Sequence, residues 1–262
     1  MQYKILPLEK IEKIRTNYIQ ITIKDEDLAS QCNPGNFFQI KADITSQCRR
    51  LFKPISVYDI EEESISFLIK VIGGGTRALA ALKTGDKLKI YGPLGNAFPL
   101  RQDSKILMVS GGTGYPPLAF LKKRLDSSNN ILFLHGGASK DDVFPCDCSY
   151  TIDGSFGNKG IVTKDIADLL KKESFDCIYS CGPVNMLKTL AQIVAPIPHY
   201  VSMEAYMACG VGVCYGCVIP TNEGYQRVCY DGPIFEAEKI RCKELLVNFP
   251  LLWVKLLFKV LF

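Results

Sequence analysis

Two hundred and sixty-two residues, at roughly 150 per domain, give room for about two domains and a small third. Hydrophobic residues at 47% and charged residues at 22% exclude a disordered, collagenous or coiled-coil chain. A net charge of +4, dispersed along the chain, leaves no footprint for nucleic acid, and two histidines cannot build a His-rich metal site.

Met1 to Glu12 has no apolar core segment, so no signal peptide is expected and the setting reads as cytoplasmic. Tyr18 to Lys24 alternates apolar and polar residues. Asn36 to Lys41 follows a Pro34-Gly35 turn, and Ser64 to Ile72 and Lys87 to Tyr91 continue as short strands. Asp59 to Glu63 reads as a solvated acidic turn. Strands at this spacing predict a small antiparallel barrel over residues 1–101. From Ser104 the rhythm changes. Lys105 to Ser110, Ile131 to Gly136 and Cys177 to Ser180 read as strands. Pro117 to Asp126, Lys164 to Lys171 and Val184 to Ile193 read as helices. Alternating strands and helices predict a parallel sheet with crossover helices, an α/β unit over 102–200. A cysteine-rich module follows over 201–242, then an apolar tail over 243–262.

The chain has 11 cysteines, an odd number in a chain long for a disulfide scaffold. Six are scattered ahead of position 200. Cys209, Cys214, Cys217 and Cys229 then follow with four, two and eleven residues between them, and Cys242 comes last. That is the spacing of a plant-type [2Fe–2S] loop closed by a distant fourth cysteine. Gly210, Gly212 and Gly216 let the loop turn tightly and aim backbone N–H groups at sulfur. A structural zinc site is the alternative. Zinc usually uses paired Cys-x2-Cys knuckles, and only Cys214 and Cys217 form one.

Val109 to Pro117 holds Gly111, Gly112, Thr113, Gly114 and Pro116 between an apolar strand and a helix. Such a turn offers backbone N–H groups and a helix dipole to a phosphate, and an ordinary strand–helix turn is the alternative. Cys181-Gly182-Pro183 follows a later strand of the same sheet, where loops line the ligand crevice. Taken alone, Cys181 is a small buried residue. In the barrel, Lys53, Lys70 and the Gly75-Thr76 turn could hold a second pyrophosphate.

Together these segments resemble the ferredoxin reductase-like flavoproteins. More closely, the chain resembles the electron-transfer subunits of NAD-dependent (type B) dihydroorotate dehydrogenases, over about residues 3 to 240. The matching segments include Lys53-Pro54-Ile55-Ser56, Gly92 to Pro99, Gly112 to Pro117, Asp153 to Gly157, Cys181-Gly182-Pro183 and Ser202 to Pro233. The resemblance implies FAD on the barrel, against Lys53, Pro54, Ile55, Ser56, Leu68, Ile69, Lys70, Gly75 and Thr76. It implies NAD at Gly112, Thr113, Gly114, Pro116, Cys181, Gly182 and Pro183, and a [2Fe–2S] cluster on Cys209, Cys214, Cys217 and Cys229. Lys53 and Lys70 stand where the family often has arginine, keeping the charge but losing the planar fork that grips phosphate. Arg49 and Arg50 are neighbours that could compensate.

The implied work is electron transfer in pyrimidine biosynthesis. A nicotinamide exchanges two electrons as a hydride, a cluster one at a time, and a flavin serves both. The implied partner is an FMN-containing catalytic subunit in a heterotetramer, and no acid–base residue for orotate chemistry is expected in this chain. Two other readings stay open: an NAD(P)H diaphorase subunit of a hydrogenase, sulfur reductase or ferredoxin-linked complex, and a non-catalytic iron–sulfur sensor. Ser139 and Lys140 could greet a 2′-phosphate, whereas Asp141 and Asp142 would repel one. In the tail, Pro250 could open a helix to Phe262. It would run roughly 20 Å, short of a roughly 30 Å hydrocarbon core. A membrane-surface helix, a partner-docking helix and a cover for the chain's own core remain open for it.

Overall fold

A computed structural model describes residues 1–43 and 51–245. Arg49, Arg50 and the proposed helix from Pro250 to Phe262 lie outside the described residues.

The first half is a curled antiparallel sheet. Its strands are β1 (Gln2–Arg15), β2 (Tyr18–Lys24), β3 (Phe37–Ala42), β4 (Lys53–Ser56), β5 (Asp59–Glu61), β6 (Ser64–Lys70) and β7 (Lys87–Leu94), in the spatial order β4-β3-β7-β1-β2-β6-β5. The edge strand β4 comes back into contact with β6, so the sheet forms a half-barrel. Alternation marks β2, which occupies the predicted residues. β1 escapes that signal because only Leu8 of its 14 residues is buried. Helix α1 (Glu26–Gln31) is capped by Asp25, whose carboxylate accepts from the Leu28 N–H at 2.9 Å. The barrel core joins Ile21, Ile23, Phe38, Ile40, Phe67, Leu88 and Ile90, with Phe38 and Phe67 edge to face at 5.5 Å.

Two short segments differ from expectation. The solvated acidic turn is confined to Glu62 and Glu63: Asp59 to Glu61 pair with β6, and Asp59 is buried where its carboxylate accepts from Lys123. A buried carboxylate needs such a partner. The Gly73–Gly75 stretch is the start of helix α2 (Gly74–Ala80), where the Thr76 hydroxyl accepts from the N–H groups of Ile72 and Gly73.

The second half is a seven-stranded sheet. β8 (Lys105–Gly111), β9 (Asn130–Gly137), β10 (Cys148–Thr151), β11 (Asn158–Lys159), β12 (Cys177–Cys181) and β13 (His199–Ser202) are parallel, in the order β11-β10-β9-β8-β12-β13. Helices α3 (Tyr115–Arg124), α4 (Ile166–Lys172) and α5 (Val184–Val194) lie between strands. β8 is buried from Ile106 to Gly111, as a parallel strand covered on both faces should be. Tyr18, Leu68 and Phe98 of the barrel pack with Ile106, Met108, Tyr115 and Tyr179 of the sheet, so the halves share a core.

The cysteine segment has little regular structure. β14 (Val218–Thr221) and β15 (Gly224–Arg227) form a hairpin, and β16 (Ile234–Glu236) pairs antiparallel with β13. The module is thus stitched onto the nucleotide sheet, with Phe37 and Leu94 of the barrel packed beside Cys217, Val228 and Cys229. No helix among the described residues is long and apolar enough to cross a membrane.

Candidate functional site

The two glycine segments meet at the ends of β8 and β12. A side-chain carbon at Gly114 would overlap the carbonyl oxygen of Cys181, and one at Gly182 would lie 2.9 Å from the Gly111 nitrogen. Backbone packs directly on backbone here. Gly112 serves differently: nothing lies within 4 Å of it, but its φ of +53° is left-handed. Its open side leaves main chain accessible ahead of α3, which suits a phosphate. Pro116 sits in the first turn of α3. Thr113 extends its hydroxyl toward the Glu204 carboxylate at 3.4 Å, linking the loop to the cysteine module. Cys181 is buried, and burial together with the Glu204 charge drives its thiol well above the ordinary range. It offers neutral packing, not a thiolate.

Below the crevice, two serine–histidine pairs are buried. Ser110 Oγ meets His135 Nδ1 at 2.7 Å, and His135 Nε2 meets the Asp142 carbonyl at 2.7 Å. A carbonyl can only accept, so Nε2 carries the proton and Nδ1 accepts from Ser110. Ser180 Oγ and His199 Nε2 pair at 2.7 Å. Burial lowers both histidines, His199 to about 4.

The barrel side gathers the flavin candidates. Lys53 to Ser56 form the half-buried edge strand β4, which contacts β6, the strand that ends in Leu68, Ile69 and Lys70. The Lys53 chain lies against Gly75, where a side-chain carbon would overlap its Cε. A cation beside a bare glycine and the start of α2 fits a pyrophosphate. Ile69 points into the barrel core, so only its main chain can face a cofactor. Lys70 is placed otherwise than a free cation. Its Nζ lies 2.5 Å from Asp142 Oδ1, which also accepts from the Tyr18 hydroxyl at 2.9 Å. Burial pushes Asp142 up, but the bonds from Lys70 and Tyr18 outweigh it and hold the carboxyl below its usual range. Asp142 therefore turns inward across the seam between the halves, and does not stand ready to repel a 2′-phosphate. Sequence gave no sign of Tyr18 or of this pairing, since its partners are 72 and 124 residues from Asp142.

The four cysteines stand as two pairs. The Cys229 N–H reaches the Cys217 sulfur at 3.4 Å, and Cys214 is the cysteine that acts on the Cys209 thiol. Among the described residues no three His, Cys, Asp or Glu converge as they would on a single metal ion. Two thiolate pairs suit a two-iron cluster, with one pair for each iron, better than one tetrahedral zinc. Backbone donors already point at sulfur: Gly216 N–H to Cys214 and Cys229 N–H to Cys217, both at 3.4 Å. Burial opposes ionisation of Cys209, yet the N–H groups of Val211, Cys214 and Val213 and the Cys214 side chain lower its thiol overall. Burial and the neighbouring Cys217 raise Cys229. Two flanking residues were not marked by spacing. Tyr91 of β7 donates its hydroxyl to the Cys209 carbonyl. Arg227 lies between the rings of Tyr215 and Tyr230, at 5.2 and 4.5 Å, grips Asp231 with two nitrogens, and donates to the Gly212 carbonyl at 3.2 Å.

A flavin-type half-barrel, a parallel nucleotide sheet and a paired-cysteine module define a ferredoxin reductase-like flavoprotein with an iron–sulfur domain. Residues 6–98 match the oxidoreductase FAD-binding domain, and residues 204–241 match the iron–sulfur cluster binding domain of dihydroorotate dehydrogenase B. The chain is similar to the dihydroorotate dehydrogenase B (NAD(+)) electron transfer subunits of Bacillus velezensis and Clostridium acetobutylicum. It is 37% identical to the first, over 90% of this chain and 97% of that one. It is 38% identical to the second, over 85% and 91%. Among solved structures, an NADH-dependent reduced ferredoxin-NADP oxidoreductase aligns with a TM-score of 0.79 at 28% identity, over 92% of this chain and 91% of that one. The cytochrome b5 reductase domain of Ulva prolifera nitrate reductase shares the fold, with a TM-score of 0.61 at 16% identity over 76% and 97%. The chain belongs to the family of dihydroorotate dehydrogenase B (NAD(+)) electron transfer subunits.

Proposed function

We propose that this chain carries electrons between NAD and an FMN-containing catalytic subunit that oxidises dihydroorotate to orotate. One observation supports it most: a single chain sets two thiolate pairs, a flavin-type strand and a glycine crevice side by side. Bound FAD and [2Fe–2S] supply the conversion between hydride and single-electron chemistry. The chain's own residues do the holding. Lys53 with Gly75 and Thr76 takes the FAD pyrophosphate, and Pro54, Ile55, Ser56 and the Leu68 to Lys70 strand flank the remainder. Gly112, Thr113, Gly114 and Pro116 meet the nucleotide phosphates, with Cys181, Gly182 and Pro183 closing the crevice. Cys209, Cys214, Cys217 and Cys229 hold the iron. Nucleotide choice rests with Ser139, Lys140 and Asp141, since Asp142 is committed to Lys70 and Tyr18. NAD is the nucleotide this reading takes. A heterotetramer of two subunit types in the cytoplasm belongs to the same reading, taken from resemblance.

The test is co-expression with the catalytic subunit, co-purification, and a dihydroorotate–NAD⁺ assay. Dihydroorotate-dependent NADH formation by the complex, absent from either subunit alone, is expected. A complex that forms and carries both flavins yet makes no NADH sinks the proposal. A second reading, a subunit of a ferredoxin-linked NAD(P)H oxidoreductase, is favoured by the 28% identity to one such structure across 92% of the chain. It predicts ferredoxin-dependent, dihydroorotate-independent turnover.

A further inference from the structure

Gln39 lies in the middle of β3, between Pro54 of β4 and Tyr91 of β7. Its neighbour Phe38 enters the barrel core, so alternation sends the Gln39 side chain out of the opposite face. That face is covered by the cysteine module, and Gln39 is 0% exposed. Neither its Oε1 nor its Nε2 has a hydrogen-bond partner among the described residues. A buried amide left this way is costly, and in folded proteins such groups find a partner.

The surroundings indicate which partner. A side-chain carbon at Gly210 would lie 2.8 Å from Gln39 Nε2 and 2.9 Å from the Tyr91 hydroxyl, so the amide presses on the loop beside Cys209. Tyr91 donates to the Cys209 carbonyl on the same side. Tyr91 also packs against the apolar cluster that holds Phe37, Cys217 and Cys229, so the cysteine loop lies along this seam. A polar donor with nothing to bind, set against an anionic sulfur site, calls for sulfur as acceptor.

We propose that Gln39 donates its amide N–H to sulfur at the Cys209 corner of the cluster, as a positioning residue that raises the cluster's reduction potential. This rests on the cluster assignment above. A donor to cluster sulfur stabilises the more negative, reduced form, so its loss favours the oxidised form.

The test is Gln39→Met, which keeps the length and loses the amide, made in the full chain with FAD and cluster loaded. In a potentiometric titration followed by electron paramagnetic resonance, the reduced-to-oxidised ratio at the wild-type midpoint should fall about tenfold, ~59 mV for one electron. The FAD potential should stay in place. An unchanged cluster potential in fully loaded protein overturns the assignment, and so does a shift confined to the flavin. Wild-type protein with ¹⁵N in its glutamine side chains provides a measurement independent of the variant's folding. Pulsed resonance on the reduced cluster should show coupling to one amide nitrogen, and absence of that coupling overturns the proposal. Protein that assembles no [2Fe–2S] spectrum at all sinks the parent reading instead.

Discussion

The glycine crevice and the cysteine loop solve the same problem by different means. At the crevice, Gly111, Gly114 and Gly182 bring two loops into backbone contact at the ends of β8 and β12, over a core of Leu107, Val109, Ile178 and Leu190. Apolar burial at roughly 25 cal/mol per Å² holds that geometry without any ligand. The cysteine loop has no strand of its own from Met203 to Gly216. Met203, Ala205, Met207 and Val211 anchor it on an apolar cluster, and polar contacts reach the turns between them: Tyr91 from the barrel, Arg227 from the hairpin, Thr113 from the crevice. A site on a packed sheet tolerates loss of a polar contact and not loss of space. A loop held by side-chain contacts should behave the other way round.

Gly114→Ala tests the first half with the largest expected effect. Gly114 has φ near −76°, which alanine adopts freely, so only the collision with the Cys181 carbonyl opposes the change. Moving two buried backbones should cost about 4 kcal/mol or more. Thermal unfolding should drop accordingly, and NADH-dependent dye reduction should be lost. A variant of wild-type stability would show that the loops are not in contact. Acid is a gentler probe of the same region. Burial holds His199 at about 4 against 6.5 when exposed, so the folded chain resists a proton the unfolded chain accepts. Stability is therefore full above pH 6.5, declines as pH falls from 6.5 toward 4, and levels off below. The loss is roughly 3 kcal/mol at completion, and His135 adds in the same direction. Denaturant titrations across that range should show the slope, and His199→Gln should flatten it.

The same contrast explains what the sequence made legible. Hydrophobic period and glycine placement are local signals, so β2, β8, β9, β12 and α5 lie within about two residues of their predicted bounds. The cysteine spacing is local too, and it brings the Cys229 N–H onto the Cys217 sulfur. What was not legible depends on distant partners. Lys70 looked like a cation waiting for phosphate until Asp142 came to it from the other sheet. Asp59 looked solvated until Lys123 of α3 reached it. The long β1 is mostly exposed, so its residues carry no buried period to detect. Gln39 gave no hint at all, because only the fold reveals that its outward face is covered.

Arg227 tests the other half of the contrast, with the smallest expected effect on the fold and a specific one on the loop. Its guanidinium ties Gly212 and Asp231 together and fills the gap between two tyrosines, yet it belongs to no apolar cluster. Arg227→Met keeps bulk and removes five donors. Global unfolding should hardly move, because the barrel and sheet cores are untouched. Cluster retention should fall about tenfold, the usual scale for a group that orients metal ligands from behind. The loss is read as faster bleaching of the visible spectrum during chelator challenge. Arg227→Lys restores charge but not the fork that spans both Asp231 oxygens, so it should recover only part of that retention. Full recovery by lysine would mean that charge alone steadies the loop. An unchanged bleaching rate in Arg227→Met would mean that the cysteine loop, like the crevice, is held by packing.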